Sequence, residues 1–518
     1  MKNLPIGTQS FEQLRENDLL YVDKTQEMHR LVSGNRIAFL SRPRRFGKSM
    51  LISTLDALFS GRKELFEGLW IYDRWDWTQL HPVIKIDWTL IAHSTPEEIE
   101  TGIISYLGRF ADKYQLDLTS KSAPGCFFEV IEKLYQKTGQ KVVVLVDEYD
   151  KPVTGHLFDS RLTAFKAAIH DFYQVMKGAD EYIRFIFLTG VSKFSGLSVF
   201  SALNSPNDIT IDDKYASICG YTQEELESNF SDYIDDLAGH FGWTREKLIA
   251  AIRYWYNGYS WDGKTSVYNP FSTLIFFDKK RFGGYWFKTG TPTFLIDILK
   301  QRERASIVLE PISIDDSLLD GYDPETLSEI PLFFQTGYLT IKSAELTENG
   351  TQYTLDIPNK EVREALLQRL LLVYGSYPPE QVGKLRKAVE QCLRDGNEQG
   401  FASCLEAVIA TVPNELKLNC EAHYHALVLI WLRFLGFDVH SEVSNNLGRA
   451  DAVWEQPDMA VVAELKYHKD KDTTLLLDAA MKQIHERRYF NRTLGRVLLL
   501  GVAFSGAKVE CRMEVLNR

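Results

Sequence analysis

Unbroken runs of β-branched and aromatic residues alternate with helical periodicities through the first 200 residues of the chain. Four runs stand out: 36–40 (RIAFL), 82–86 (PVIKI), 142–146 (VVVLV) and 184–188 (RFIFL). None alternates apolar with polar positions, so each is expected to be buried on both faces, as central parallel strands are. Between the second and third, Thr95-Pro96-Glu97-Glu98 reads as a helix start, with a hydroxyl cap, a proline in the first turn and a capping-box glutamate. The alternation predicts a three-layer α/β domain over residues 1–210.

Residues 211–375 are expected to form a helical region that ends in a winged-helix-like element. It opens with a second capping box, Thr222 to Glu225, and carries the aromatic, glycine-rich stretch WYNGYSWDG at 255–263. A helix-like segment then leads into two alternating runs, GYLTIKSAEL and TQYTLDIP, split by Asn349-Gly350, a favoured hairpin turn. The stretch GSYPP at 375–379 is the best linker. Beyond it, 376–518 reads as helices to about 435, a strand-rich segment over 439–465, a helix, and a strand at 496–504, which together suit an α/β nuclease-type domain.

Composition narrows the class. At 518 residues, with 45% hydrophobic and 25% charged positions, the chain is globular and multidomain. It holds 59 Lys+Arg against 70 Asp+Glu, a net charge of −11, which argues against a protein that coats nucleic acid by bulk electrostatics. A metal-dependent enzyme acting on nucleic acid remains compatible with it. The six cysteines show neither CxxC nor paired spacing, the start lacks an apolar leader core, and the greasiest stretch, 426–437, is short and contains Arg433. The expectation is a cytoplasmic protein without a membrane span.

The first chemical signal is RPRRFGKS at 42–49, between the run at 36–40 and an apolar helix. A nucleoside triphosphate needs backbone N–H groups and a helix N-terminus at its phosphates, a lysine on the β/γ oxygens and a hydroxyl on Mg²⁺. Lys48 and Ser49 suit the last two roles, and Gly47 allows close backbone approach. Arg42, Arg44 and Arg45 add positive charge, with Arg42 standing where the usual phosphate loop has a glycine. About 100 residues on, the run at 142–146 ends in Asp147-Glu148. Asp147 is expected to orient the metal shell and Glu148 to polarise the attacking water. Thr189, at the end of the next strand, is the expected γ-phosphate sensor, and Asp150 either supports the site or caps a helix.

The second signal lies near the C-terminus. Asp451 opens the strand ADAVW, and Glu464 and Lys466 follow in VVAELKY, with Pro457 and Asp458 at the intervening turn. The i, i+2 spacing of Glu464 and Lys466 puts both on one face of a strand. Two carboxylates and a lysine around one point can hold Mg²⁺ and orient the water that attacks a phosphodiester. Glu421 on an upstream helix supplies a further carboxylate, and Gln483 and Tyr489, on a helix downstream, are candidate phosphate or supporting contacts. His423 and His425 lie two apart on a helix and face different ways, which argues against zinc.

These motifs, with YVDKT (21–25), VDEYDKP (146–152), LTGVSKFS (188–195), YNGY (256–259), YNPFS (268–272), TGYL (336–339), IPN (357–359), GRAD (448–451) and AELKY (463–467), run in order along the chain. The pattern resembles a bacterial family with an N-terminal AAA-ATPase-like domain and a C-terminal PD-(D/E)XK nuclease-like domain. The resemblance implies ATP binding and a restriction-endonuclease-like fold, and it implies that the RPRRFGKS form is the family's own phosphate loop.

The leading expectation is an ATP-regulated, Mg²⁺-dependent nuclease with nucleic acid as partner, DNA before RNA. Two other readings stay open. One is an ATP-switched module that binds nucleic acid or a partner through a non-cleaving nuclease-like domain. The other is a signalling or defence ATPase that works as a homo-oligomer.

Overall fold

The computed structural model describes residues 1–157, 159–193, 203, 206–286, 311–319, 329–348, 350–366, 382–411, 420–445, 448–456, 459–488, 496–505 and 508–517. Its strands are β1 (Ile37–Ser41), β2 (Val83–Asp87), β3 (Val142–Asp147), β4 (Ile183–Gly190), β5 (Asn207–Asp208), β6 (Ile312–Asp315), β7 (Thr340–Thr347), β8 (Gly350–Asp356), β9 (His440–Asn445), β10 (Gly448–Gln456), β11 (Met459–Tyr467), β12 (Arg496–Ser505) and β13 (Lys508–Asn517). The chain divides into two compact units, Met1–Gly290 with Pro311–Val362, and Thr291–Glu310 with Arg363–Arg518.

The first unit is built on a parallel sheet of order β2-β3-β4-β1-β5. Three of the four strands expected from apolar runs, β1, β3 and β4, form its centre, and β3 is buried at every position. The fourth, β2, lies at the sheet edge and is only partly buried, against the expectation of a central strand, because no strand pairs on its outer side. Because β4 lies between β1 and β3, the loops after β1 and β3 flank the end of β4. Ligands bind parallel sheets at this carboxyl edge, where loops diverge. The helix Lys48–Phe59 leaves β1 through the phosphate loop, and its Leu51, Ile52, Leu55 and Leu58 are buried. The two-residue strand β5 was too short to leave a periodic signal.

The helices Gln223–Asn229, Ser231–Phe241, Arg245–Tyr256 and Pro270–Lys279 share a core that includes Phe230, Ile252 and Phe276 and takes in Leu20 and Val22 from near the N-terminus. The expected capping box is complete: the Thr222 hydroxyl accepts from Glu225 N–H, and the Glu225 carboxylate accepts from Thr222 N–H. That carboxylate also binds the buried Lys24 at 2.6 Å through both oxygens. The hairpin of β7 and β8 follows the helix Glu329–Thr336, and β6 adds a third antiparallel strand.

The second unit carries a mixed sheet of order β13-β12-β11-β10-β9, parallel only between β11 and β12. One face packs against the helices Val382–Asp395, Glu398–Thr411 and Glu421–Phe434 through Phe401, Trp431 and Trp454. The other is covered by the helix Thr473–Arg487 through Met481 and Ile484. The edge strand β13 lies beyond the last strand expected from the sequence, because its alternate residues Lys508, Glu510, Arg512 and Glu514 are charged and leave no apolar run. Among the described residues, no helix is long and apolar enough to cross a membrane.

Candidate functional site

In the first unit, a cavity of about 540 Å³ opens above the phosphate loop. One wall is Arg44, Arg45, Phe46, Gly47, Lys48 and Ser49, with Glu148 and Lys151 beside them. The rest of the lining includes an apolar set, Leu20, Val22, Ile218 and Leu274, together with Lys24. Gly47 sits at φ +95°, which only glycine adopts without strain, and an added Cβ would meet nothing within 4 Å. The loop therefore needs this glycine for its turn, and open space is left where phosphate would approach.

Lys48 is buried and donates to the carbonyls of Arg42 and Pro43 at 2.9 and 3.0 Å. Burial pulls its pKa down, while Asp147, Glu148 and Asp150 favour the charged form. Burial raises the Asp147 carboxyl, and the Ser49 hydroxyl, hydrogen-bonded to it, works in the opposite direction. The structure thus brings Lys48, Ser49 and Asp147 together at the end of the sheet. Glu148 follows at φ +51°, half-exposed, with Lys151 at 3.6 Å.

Two expected nucleotide contacts are placed elsewhere. Arg42 is fully buried and turned from the cavity: it donates to the carbonyls of Ser41, Thr210 and Tyr215 and lies 4.0 Å over the Trp261 ring. Burial lowers its pKa to about 10. Its guanidinium satisfies carbonyls of the segment after β5 and so braces the loop. Thr189 is buried as well, and its hydroxyl donates to the Leu40 carbonyl at 2.8 Å, across the β1–β4 ladder. Asp150 gives no side-chain cap to the helix that follows it. Its carboxylate accepts from the N–H groups of Val191 and Ser192, and burial pushes its pKa up to about 6.

Further lining comes from segments with no role expected from sequence, within residues 5–9, 20–24, 218–221 and 270–274. The YVDKT and YNPFS motifs were the available signal. Asp23 accepts from the N–H groups of Thr25 and Trp70, which fixes the segment carrying Lys24 against the domain.

In the second unit, the pairing of Ala452 with Ala463 in the β10–β11 hairpin continues to bring Asp451 across from Glu464. Asp451 Oδ2 accepts from the Leu465 N–H at 2.7 Å. Lys466 Nζ lies 3.0 Å from Glu464 Oε1 and 3.6 Å from Glu421 Oε1. The structure therefore sets Asp451, Glu464 and Lys466 side by side, with Glu421 reached through Lys466. Glu421 begins its helix and also accepts from the Tyr467 N–H.

Glu464 has no exposed surface, and its Oε2 is buried without a hydrogen-bond partner. Burial, with Asp451 adding to it, pushes this carboxyl up to about 7. Burial raises Asp451 too, and it opposes the charge on Lys466, which Glu464 and Glu421 nonetheless hold above its ordinary range. An orphaned carboxylate oxygen beside a second carboxylate suits a divalent cation. Among the described residues, no three or more His, Cys, Asp and Glu side chains are grouped to hold a metal. Mg²⁺, which keeps several waters and takes one or two carboxylates, does not require such a cage.

His425 contacts the Asp451 carbonyl at 2.8 Å, a bracing role that the sequence reading missed, while His423 is buried. Gln483 is half-buried on the covering helix, and Tyr489 lies outside the described residues, as do Pro457 and Asp458.

Comparison with known proteins agrees with both halves. Residues 5–200 match the family described as "Predicted AAA-ATPase". Residues 419–514 match the PD-(D/E)XK nuclease superfamily. A protein of Azotobacter chroococcum mcd 1, described as "Uncharacterized protein in vnfD 5'region", is 35% identical over 516 residues, covering 97% of this chain and 96% of that protein. The chain belongs to the family of AAA-ATPase-like proteins that carry a C-terminal PD-(D/E)XK nuclease-superfamily domain.

Proposed function

We propose that the chain is an ATP-regulated, Mg²⁺-dependent nuclease that cleaves DNA phosphodiesters. The observation that carries this reading is the meeting of Asp451, Glu464 and Lys466 around a buried carboxylate oxygen with no protein partner. A binding-only domain gains nothing from two desolvated carboxylates where phosphate must sit.

In this reading Asp451 and Glu464 hold the cation, and the His425 and Leu465 contacts fix Asp451 in place. Bound Mg²⁺ supplies charge neutralisation at the scissile phosphate and a more acidic water. Lys466, positioned by Glu464 and Glu421, orients that water or stabilises the charge that develops on the phosphate. In the first unit, Lys48, Arg44 and Arg45 bind the phosphates of ATP. Ser49 and Asp147 hold its Mg²⁺, and Glu148 polarises the hydrolytic water. The apolar part of the cavity lining suits a nucleobase, and the volume falls within the ordinary range for a bound small molecule.

Calorimetric titration of Mg²⁺ or Mn²⁺ into wild type and Asp451→Asn tests the metal site, and incubation of both with linear and circular DNA, with and without ATP, tests cleavage. Wild type should bind the cation and cut, and the variant should do neither. Equal heats in the two proteins, with DNA bound but uncut, would favour the ATP-switched binding module instead.

A further inference from the structure

The chain passes from the first unit to the second after Gly290 and again after Val362. Trp286 is the last described residue before the first passage, and Glu361 stands just before the second. These two residues are joined. The Trp286 backbone N–H donates to Glu361 Oε1 at 2.8 Å, and the same oxygen accepts from the Tyr285 N–H at 2.5 Å and the Ser272 hydroxyl at 3.0 Å. Both side chains are fully buried. Trp286 then reaches the phosphate loop itself, its indole N–H donating to the Arg44 carbonyl at 3.0 Å.

The contact is close-fitted. Gly337, at φ +88°, lies so near the loop that an added Cβ would stand 2.8 Å from the Pro43 ring and 3.5 Å from the Trp286 ring. The loop is therefore held by both Lys48 and Trp286. Lys48 donates to the carbonyls of residues 42 and 43, and Trp286 to the carbonyl of residue 44. The Lys48 ammonium has a third N–H for an incoming polyphosphate, whose charge then competes with the two carbonyls for the lysine head. The three carbonyls belong to consecutive residues, so a change at the first two has the shortest covalent path to the third, which Trp286 holds.

We propose that Trp286 and Glu361 are a positioning pair: they set the conformation of the phosphate loop and relay its nucleotide state to both passages into the second unit. The proposal rests on the nucleotide-binding reading given above. It accounts for why the YNPFS and TGYL motifs and the residue after IPN-Lys360 gather behind the loop: Ser272, Gly337 and Glu361 belong to them.

Amide hydrogen exchange on the full chain, with and without ATP·Mg²⁺, tests it. ATP should protect the amides of 47–49 and should also change exchange at 285–286, whose N–H groups Glu361 holds. Trp286→Phe keeps an aromatic ring, though a smaller one, and removes the indole donor, so it should abolish the response at 285–286 and weaken ATP about tenfold. Glu361→Gln, which keeps an accepting oxygen, should preserve both properties, whereas Glu361→Ala should lose them. Protection at 47–49 with unchanged exchange at 285–286 in wild type overturns the proposal, and that result needs no variant to fold. Silence at both segments overturns the nucleotide reading and this proposal with it.

Discussion

Lys466 Nζ lies 3.0 Å from Glu464 Oε1, two residues back along the same strand. This pairing anchors the lysine head next to a carboxylate whose other oxygen has no protein partner. The lysine thereby has a fixed place beside the expected cation position. Lys466→Ala should leave Mg²⁺ binding within a few-fold of wild type while lowering the cleavage rate by roughly 10²–10³. Parallel metal titrations and single-turnover kinetics would separate the two effects, and a large loss of metal affinity would count against the assigned role.

Arg42 and Arg44 are two residues apart and should fail in opposite ways. Arg42 is buried against three carbonyls and Trp261, so Arg42→Gly, which restores the usual phosphate-loop glycine, strands those acceptors. The expected loss of stability is about 3 kcal/mol or more. Arg44→Ala removes a cavity-lining charge and should weaken ATP with little change in stability. Thermal melts with ATP titrations on both variants check this contrast.

Occupancy of the cavity should stabilise the fold by mass action. At about 100 times Kd, ATP·Mg²⁺ should add roughly 2.7 kcal/mol to the unit that binds it, visible as a rise in Tm. Lys48→Ala should abolish that rise. An equal ATP-induced shift in this variant would place the nucleotide elsewhere.

Glu361 makes stability depend on pH in a defined window. Burial raises its carboxyl to about 7 from the ordinary 4.5, and the N–H groups of Trp286 and Tyr285 and the Ser272 hydroxyl only partly oppose this. The Tyr259 and Tyr285 hydroxyls, whose pKa values burial raises and the Glu361 charge raises further, stay neutral in this range. The folded state therefore binds the proton more tightly than the unfolded one. The protonated group's contribution is fully present below about 4.5 and is lost as pH rises through about 7, amounting to roughly 3 kcal/mol. Glu361→Gln should flatten the stability profile between these limits, as denaturant melts across that range would show. An unchanged pH slope would remove Glu361 as its source.

Legibility from sequence followed the range of each interaction. The strands β1, β3 and β4 were readable because double-sided burial demands an unbroken apolar run, and the loop at Gly47-Lys48-Ser49 because a glycine turn that opens a helix is a local signal. Asp451, Glu464 and Lys466 were readable because one hairpin brings them together. Arg42 was misplaced because its carbonyl partners, on Thr210 and Tyr215, lie far along the chain, and no local pattern pairs them. Thr189 was read as a sensor because polar strand ends look alike in sequence, whereas a hydrogen bond to Leu40 depends on which strand is the neighbour. Glu361 left no signal, since its donors come from Ser272, Tyr285 and Trp286.

The most direct test is a DNA-cleavage assay with Mg²⁺ and ATP on wild type and Glu464→Gln, a variant that keeps side-chain size but removes the buried charge. Wild type should cut in a Mg²⁺-dependent way, and the variant should show no cleavage above background. Cleavage by the variant at the wild-type rate, or none by a folded, Mg²⁺-saturated wild type, would contradict the account.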